Sequence, residues 1–375
     1  MKIEFYRHNI DNSDIQRVKD VLSTIFLTTG EVVNNFEEKF AEYLNSQYVI
    51  GVTSCTAAIH LCLLAWGIEE GDEVITSPMS FCATANAVLH AGATPVFADA
   101  EEATGNINAE LIESKVSKRT RAIIPVHLYG QMCDMRKIRK IADKYNLVII
   151  EDAAHCIEGE RDGVKPGQLG DAACFSFYAT KNITSGEGGA IAVNNADKAE
   201  LLRLLRLHGI DKSAADRYTK RYQHWDMPVL GWKYNMDNIQ AALLIGQLQR
   251  VDSLWEKRES IYKKYQKAFY PLTNIGLLET VPDCRHAMHL FTMHVPDQRR
   301  DKIMFSLQEK GIGVAVNYRP IHLLKYYRTH FGYKEGDFPM AEKIGSRTIS
   351  LPLYPLLKDE EADYVIKTVK EVTGN

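Results

Sequence analysis

The chain is 375 residues long, 45% hydrophobic and 25% charged, with a formal net charge of −3. That length suits two domains rather than one small core, and the composition is that of an ordinary globular protein. So balanced a charge gives no electrostatic reason to expect nucleic acid or a membrane surface as a partner.

In chain order, Met1 to Asp11 alternates apolar and charged residues, unlike a signal peptide. From residue 48 short apolar runs alternate with amphipathic stretches. Strands are predicted at Tyr48–Val52, Glu73–Thr76, Thr94–Ala98, Arg121–His127 and Leu147–Ile150. Helices are predicted at Thr56–Trp66, Phe81–His90 and Met135–Tyr145. Strands apolar on both faces and separated by helices argue for an α/β fold with a mainly parallel sheet covered on both sides. Residues 205–235 carry weak periodicity and read as a mobile loop. One long helix is expected over Asp237–Tyr270, linking a large domain (1–245) to a smaller α+β domain (246–375). The smaller domain should hold strands at His289–Val295 and Ile312–Tyr318, and helices at Lys302–Lys310 and Ala362–Val372.

The seven cysteines are scattered and include no C-x-x-C pair, so they read as buried free thiols in a reducing compartment. No apolar run approaches the ~18 residues a membrane span needs. A cytoplasmic protein is expected. His127, His155, His208 and His224 lack ligand spacing, so no metal site is expected. The absence of G-x-G-x-x-G after the first strand disfavours a dinucleotide-binding dehydrogenase.

The richest segment is Phe175 to Ala190, which sets Lys181 between an apolar run containing Ser176 and a glycine-rich turn. A fixed, desolvated lysine near a phosphate anchor is what pyridoxal phosphate (PLP) chemistry requires. Four other groups complete the set. Thr53 to Ala58 reads as a strand end, a small hydroxyl turn and a helix start, where Thr56 either caps the helix or donates to a phosphate. Asp152 ends an apolar strand, placed to hold a proton on a pyridine nitrogen or to cap the next helix, while Glu151 points to the other face. His155 would reach the cofactor's phenolic oxygen, orient Asp152 or serve structure alone. Phe81 is a core residue by base rates and a ring platform in this context.

Several runs, in order and nearly end to end, resemble the nucleotide-sugar aminotransferases of the DegT/StrS type. Among them are Leu27-Thr28-Thr29-Gly30, Thr53-Ser54-Cys55-Thr56-Ala57-Ala58, Pro125-Val126-His127-Leu128-Tyr129-Gly130-Gln131, Glu151-Asp152-Ala153-Ala154-His155, the Lys181 segment, Gly231-Trp232-Lys233-Tyr234-Asn235-Met236 and Ser350-Leu351-Pro352-Leu353. Within that family the chain looks most like the bacterial enzymes of surface and spore-coat polysaccharide synthesis.

The resemblance implies fold type I, the aspartate aminotransferase architecture, with a seven-stranded large-domain sheet and PLP or its amino form, PMP, as cofactor. It makes Lys181 the Schiff-base lysine, Asp152 the pyridine partner and His155 the neighbour of the phenolic oxygen. It makes Phe81 the stacking ring, and Cys55, Thr56 and Ser176 the phosphate donors. Asn235 would reach the phosphate of a neighbouring subunit, implying a homodimer with shared sites. Thr29, Asn317, Tyr318 and His322 would face substrate. The substrates implied are L-glutamate and a UDP- or dTDP-linked keto-sugar, aminated at C4 or, as in some relatives, at C3. The family often carries His-Tyr where this chain has Asn317-Tyr318, and asparagine does not titrate near neutral pH. Dehydratases of the same fold carry histidine at the lysine position, and a non-catalytic sugar-nucleotide sensor would not need Lys181, Asp152 and Ser176 together.

Overall fold

In a computed structural model, residues 1–212 and 224–374 are described. Twelve strands occur among them: β1 Tyr48–Val52, β2 Glu73–Thr76, β3 Thr94–Phe97, β4 Thr120–Ile124, β5 Val148–Asp152, β6 Glu160–Arg161, β7 Ala172–Ser176, β8 Gly189–Val193, β9 Gly276–Leu277, β10 Cys284–Arg285, β11 Phe291–His294 and β12 Thr348–Leu351. Seven form one sheet in the order β1-β8-β7-β5-β4-β2-β3. The pairings from β7 through β3 are parallel, and β8 runs antiparallel to both β1 and β7. This is the mainly parallel α/β sheet expected from the sequence, with the seven strands that the resemblance implies. β12-β11-β9 form a three-stranded antiparallel sheet further along the chain, and β10 pairs with β6.

Side-chain alternation sorts the sheet residues into two cores. Val49, Ile149, Ala173 and Phe175 pack into one, with Phe36, Phe40 and Phe177. Ile50, Val52, Ile150, Ala172 and Cys174 pack into the other, against the Cys55–Ala65 helix. That helix is apolar all round, as a helix enclosed on every side must be. By the same period of two, Asp152 continues the face of Ile150, and Glu151 continues that of Ile149. A third core joins residues 261–369 around β11 and β12 and also takes in Ile3. Ile3 N–H donates to Gly311 O and Gly313 N–H donates to Ile3 O, each at 2.8 Å. A side chain on Gly313 would meet the Phe5 amide nitrogen at 2.5 Å, so the close approach of the N-terminal segment needs glycine there.

Most expected elements fall within a few residues of their places, and three differ. The helix after Phe81 begins only at Ala83, leaving Phe81 outside it. The helix expected over Asp237–Tyr270 is two helices, Asn238–Gln249 and Val251–Phe269, broken at Arg250 (φ −113°). The Arg250 guanidinium is bound there by Asp14 and Asp11 of the N-terminal segment. Ile312–Tyr318 is not a regular strand. Its backbone is divided between an isolated bridge from Ala315 to Ser350 and bonds to the N-terminal segment at Ile3. The expected loop at 205–235 lies partly outside the described residues. Its two flanks are tied together, with His208 N–H donating to Trp232 O at 2.8 Å and Trp232 N–H to Leu205 O at 2.7 Å.

Candidate active site

The C-terminal ends of β5 and β7 open onto a cavity of about 580 Å³. Its lining brings together nine residues singled out in the sequence: Cys55, Thr56, Phe81, Asp152, His155, Ser176, Lys181, Asn317 and Tyr318. Register explains part of this. Asp152 pairs with Cys174 on β7, so Ser176, two residues on, sits beside the carboxylate on the same face.

Lys181 follows β7 in a tight turn, its N–H donating to Tyr178 O at 2.9 Å. The loop behind it is clamped. Phe177 N–H donates to Gly188 O at 2.9 Å and Ser185 N–H to Phe177 O at 3.0 Å. Gln247 Nε2 donates to Thr184 O at 2.7 Å, and Thr184 N–H donates to Gln247 Oε1 at 3.1 Å. Desolvation pulls the Lys181 amine down from 10.5 to about 8, against the opposing charge of Asp152.

Asp152 is 6% exposed. Its Oδ2 accepts from Thr84 Oγ1 at 2.7 Å, and its Oδ1 accepts from Ala154 N–H at 3.1 Å. The Cys55 thiol lies 3.9 Å from Oδ1. Burial, then the Asp152 charge, pushes that thiol well above its usual range. Glu151, on the opposite face, bonds His127 Nε2 at 2.7 Å and accepts from Gly167 and Gly170 N–H.

His155 is fixed as one tautomer. Its Nδ1 accepts from Tyr129 N–H at 3.2 Å, so the ring proton of the neutral form sits on Nε2, 3.0 Å from the Tyr318 hydroxyl. Burial, then the charge of Lys181, pulls its pKa well below 6.5. It does not orient Asp152, a task that falls to Thr84 and the Ala154 amide. The His289 ring lies 4.3 Å from the His155 ring, and His289 Nδ1 is 3.1 Å from Asn182 Oδ1. Asn182, next to Lys181, donates to Glu158 Oε2 at 2.7 Å, and Glu158 pairs with the buried Arg258.

At the other wall, Ser54 caps the Cys55–Ala65 helix, its Oγ accepting from Ala57 N–H at 3.1 Å. The Cys55 and Thr56 N–H groups ahead of it have no intrahelical partner, which makes this end a ready anion site. Phe81 is 58% exposed, with its ring centroid 5.8 Å from that of Tyr318. An aromatic face left open beside a buried carboxylate, a desolvated lysine and a hydroxyl-bearing helix start fits pyridoxal phosphate.

Three expected residues lie outside this lining. His322 is fully buried, bonded to Glu342 at 2.9 Å and packed on Phe338 at 4.8 Å. Ile321 N–H donates to Pro78 O, which anchors that segment in the core. Asn235 bridges to Val52, the last residue of β1, and its Oδ1 accepts from Lys233. Thr29 sits in a turn held by Asn238, whose N–H donates to Thr28 O at 2.6 Å. Conversely, Phe5, Ser80, Thr84 and Glu187 line the cavity without having been singled out. Thr84 carries no local signal, since its partner Asp152 lies 68 positions further on. Nothing local marks Phe5, which arrives because the N-terminal segment pairs through Ile3 with residues 311–313.

A model of the DegT/DnrJ/EryC1/StrS aminotransferase family matches residues 8–370. The spore coat polysaccharide biosynthesis protein SpsC of Bacillus subtilis is 41% identical over 369 residues, 97% of this chain and 95% of that protein. Among solved structures, PseC of Helicobacter pylori, an aminotransferase involved in the biosynthesis of pseudoaminic acid, superposes with a TM-score of 0.93. It is 28% identical and covers 100% of both chains. NtdA of Bacillus subtilis, with bound PMP, superposes with a TM-score of 0.87 at 32% identity, covering 100% of this chain and 86% of that one. The chain therefore belongs to the DegT/DnrJ/EryC1/StrS aminotransferase family and is a pyridoxal-phosphate-dependent sugar aminotransferase.

Proposed function

We propose that the enzyme transfers the amino group of L-glutamate to the C4 keto carbon of a UDP- or dTDP-linked sugar, for surface polysaccharide or glycan synthesis in the cytoplasm. The observation that carries this reading is the Lys181 amine, drawn down to about 8, in one cavity with the Asp152 carboxylate. The names of SpsC and PseC support a product destined for a surface or modified sugar.

When bound, pyridoxal phosphate supplies a carbonyl that exchanges amines and a ring nitrogen that withdraws electrons. The chain does the rest. Asp152 holds a proton at that nitrogen. Lys181 Nζ, neutral above about pH 8, would take a proton from the donor's Cα and hand it to the cofactor, and in the second half-reaction would carry a proton the other way, from the cofactor to the sugar carbon. Thr56, Ser176 and the Cys55 amide hold the phosphate, and Phe81 covers the ring. His155 Nε2–H serves the phenolic oxygen, shared with Tyr318. Asn317 and Tyr318 bound the sugar end, with Thr29 and His322 retained as more distant substrate-side positions. Asn235 serves the site of a second subunit in a homodimer, consistent with its place outside its own cavity.

Two measurements test this. Purified protein should carry a visible cofactor band, and Lys181→Ala should lose both the band and turnover by about 10³-fold or more. Unchanged turnover in that variant sinks the assignment. A panel of UDP- and dTDP-4-keto-sugars with glutamate, read by mass and by NMR of the product, should yield a 4-amino-sugar. Amination at C3, or only with another donor, overturns that part.

A further inference from the structure

Ser80 and Thr84 stand where the Ala83–His90 helix begins, 3% and 1% exposed. Thr84 Oγ1 lies 2.7 Å from Asp152 Oδ2 and 2.9 Å from Ser80 Oγ. An ionised carboxylate only accepts, so the Thr84 proton points at Asp152. The Thr84 oxygen is then free to accept from Ser80 Oγ–H. The Phe81 carbonyl, 3.3 Å from Thr84 Oγ1, is the longer and uncharged competitor for the Thr84 proton. Donation therefore runs in one direction, from Ser80 to Thr84 to Asp152. Hydrogen bonds to a charged acceptor are the strong ones, and a chain of them polarises each member.

We propose that Thr84, backed by Ser80, is a positioning residue that holds the Asp152 carboxylate in one orientation toward the cofactor ring nitrogen. This rests on the reading of Asp152 as the partner of that nitrogen. The donated hydrogen bond satisfies the buried Oδ2 and, with the Ala154 amide on Oδ1, fixes the plane of the carboxylate. Without it, Oδ2 is left buried and unpaired, the carboxylate loses that fixed orientation, and the cofactor is held less tightly.

The test is a double-mutant cycle read as the dissociation constant of PLP from the apo protein, by absorbance titration. Thr84→Val should weaken binding about tenfold, as loss of an outer partner typically does, while Thr84→Ser should stay within about twofold. In an Asp152→Asn background, Thr84→Val should cost less than about twofold, because the charge it serves is gone. Ser80→Ala should show the same background dependence at about threefold, and it decides the matter if melting of the apo forms shows Thr84→Val unfolded. Equal costs in both backgrounds, or a serine variant as weak as the valine one, overturn the relay alone. Wild-type affinity in Asp152→Asn itself overturns the relay and the Asp152 assignment together.

Discussion

Lys181 shows how a single side chain acquires its chemistry from its surroundings. An exposed lysine keeps its proton to about pH 10.5, and Lys137, paired with Glu110 at the surface, is shifted higher still. Lys181 is desolvated to about 8. The protonated amine is inert toward acylation and the neutral one reacts, so labelling of Lys181 in the apo protein should rise with a midpoint near pH 8. Peptide mapping by mass spectrometry checks this against the surface lysines, and a midpoint near 10.5 would contradict the desolvation argument. The lysine and Asp152 were legible in sequence because each sits in a local pattern, a strand end followed by small or glycine residues. Thr84 was not, since its meaning depends on a partner 68 positions away. His322 shows the converse: its enclosure against Phe338 comes from packing that its neighbours in sequence do not report.

Among the elements, the contact that shapes the phosphate end is that of β8 with the start of the Cys55–Ala65 helix. A methyl group on Gly189 would come within 2.4 Å of the Ser54 carbonyl carbon and 2.6 Å of the Cys55 nitrogen, both backbone atoms. Gly189→Ala must therefore push the helix start away from the sheet. The expected result is a loss of about 1–3 kcal/mol in stability, the usual cost of overpacking, measured by urea unfolding. PLP affinity should fall with it, because the free N–H groups move. Retained affinity would show that the helix start does not set the phosphate position. The break at Arg250 shows where periodicity reaches its limit. Apolar residues recur smoothly from Leu248 through Val251 and Leu254, so the pattern predicts one helix. The N-terminal carboxylates that hold Arg250 come from more than 230 positions upstream, and no local pattern reports them.

Across the whole molecule, burial of neutral histidines governs the acid side of the stability curve. His60, His155, His286 and His289 are each 5–6% exposed. Desolvation is the largest cause of a lowered pKa in all four, with His286 brought to about 4. Above pH 6.5 they are neutral whether the chain is folded or not. Below it, the unfolded chain binds protons that the folded chain refuses, so stability falls as pH drops from 6.5 toward the folded values. Each fully refused proton contributes a slope of about 1.4 kcal/mol per pH unit. Thermal melts at pH 7 and pH 5 should show a marked drop, and a flat profile would mean these rings are solvated. The sequence by itself determined the α/β class, the strand ends that carry Asp152 and Ser176, and the glycine-rich segment that carries Lys181, because those follow from short-range periodicity and motif. Only the tertiary structure decided which hydroxyl serves Asp152, that Phe5 reaches the cavity, and that Asn235, Thr29 and His322 stay outside its lining. Those outcomes depend on register, on close backbone approach at glycines and on burial, which arise only when distant segments compete for the same space.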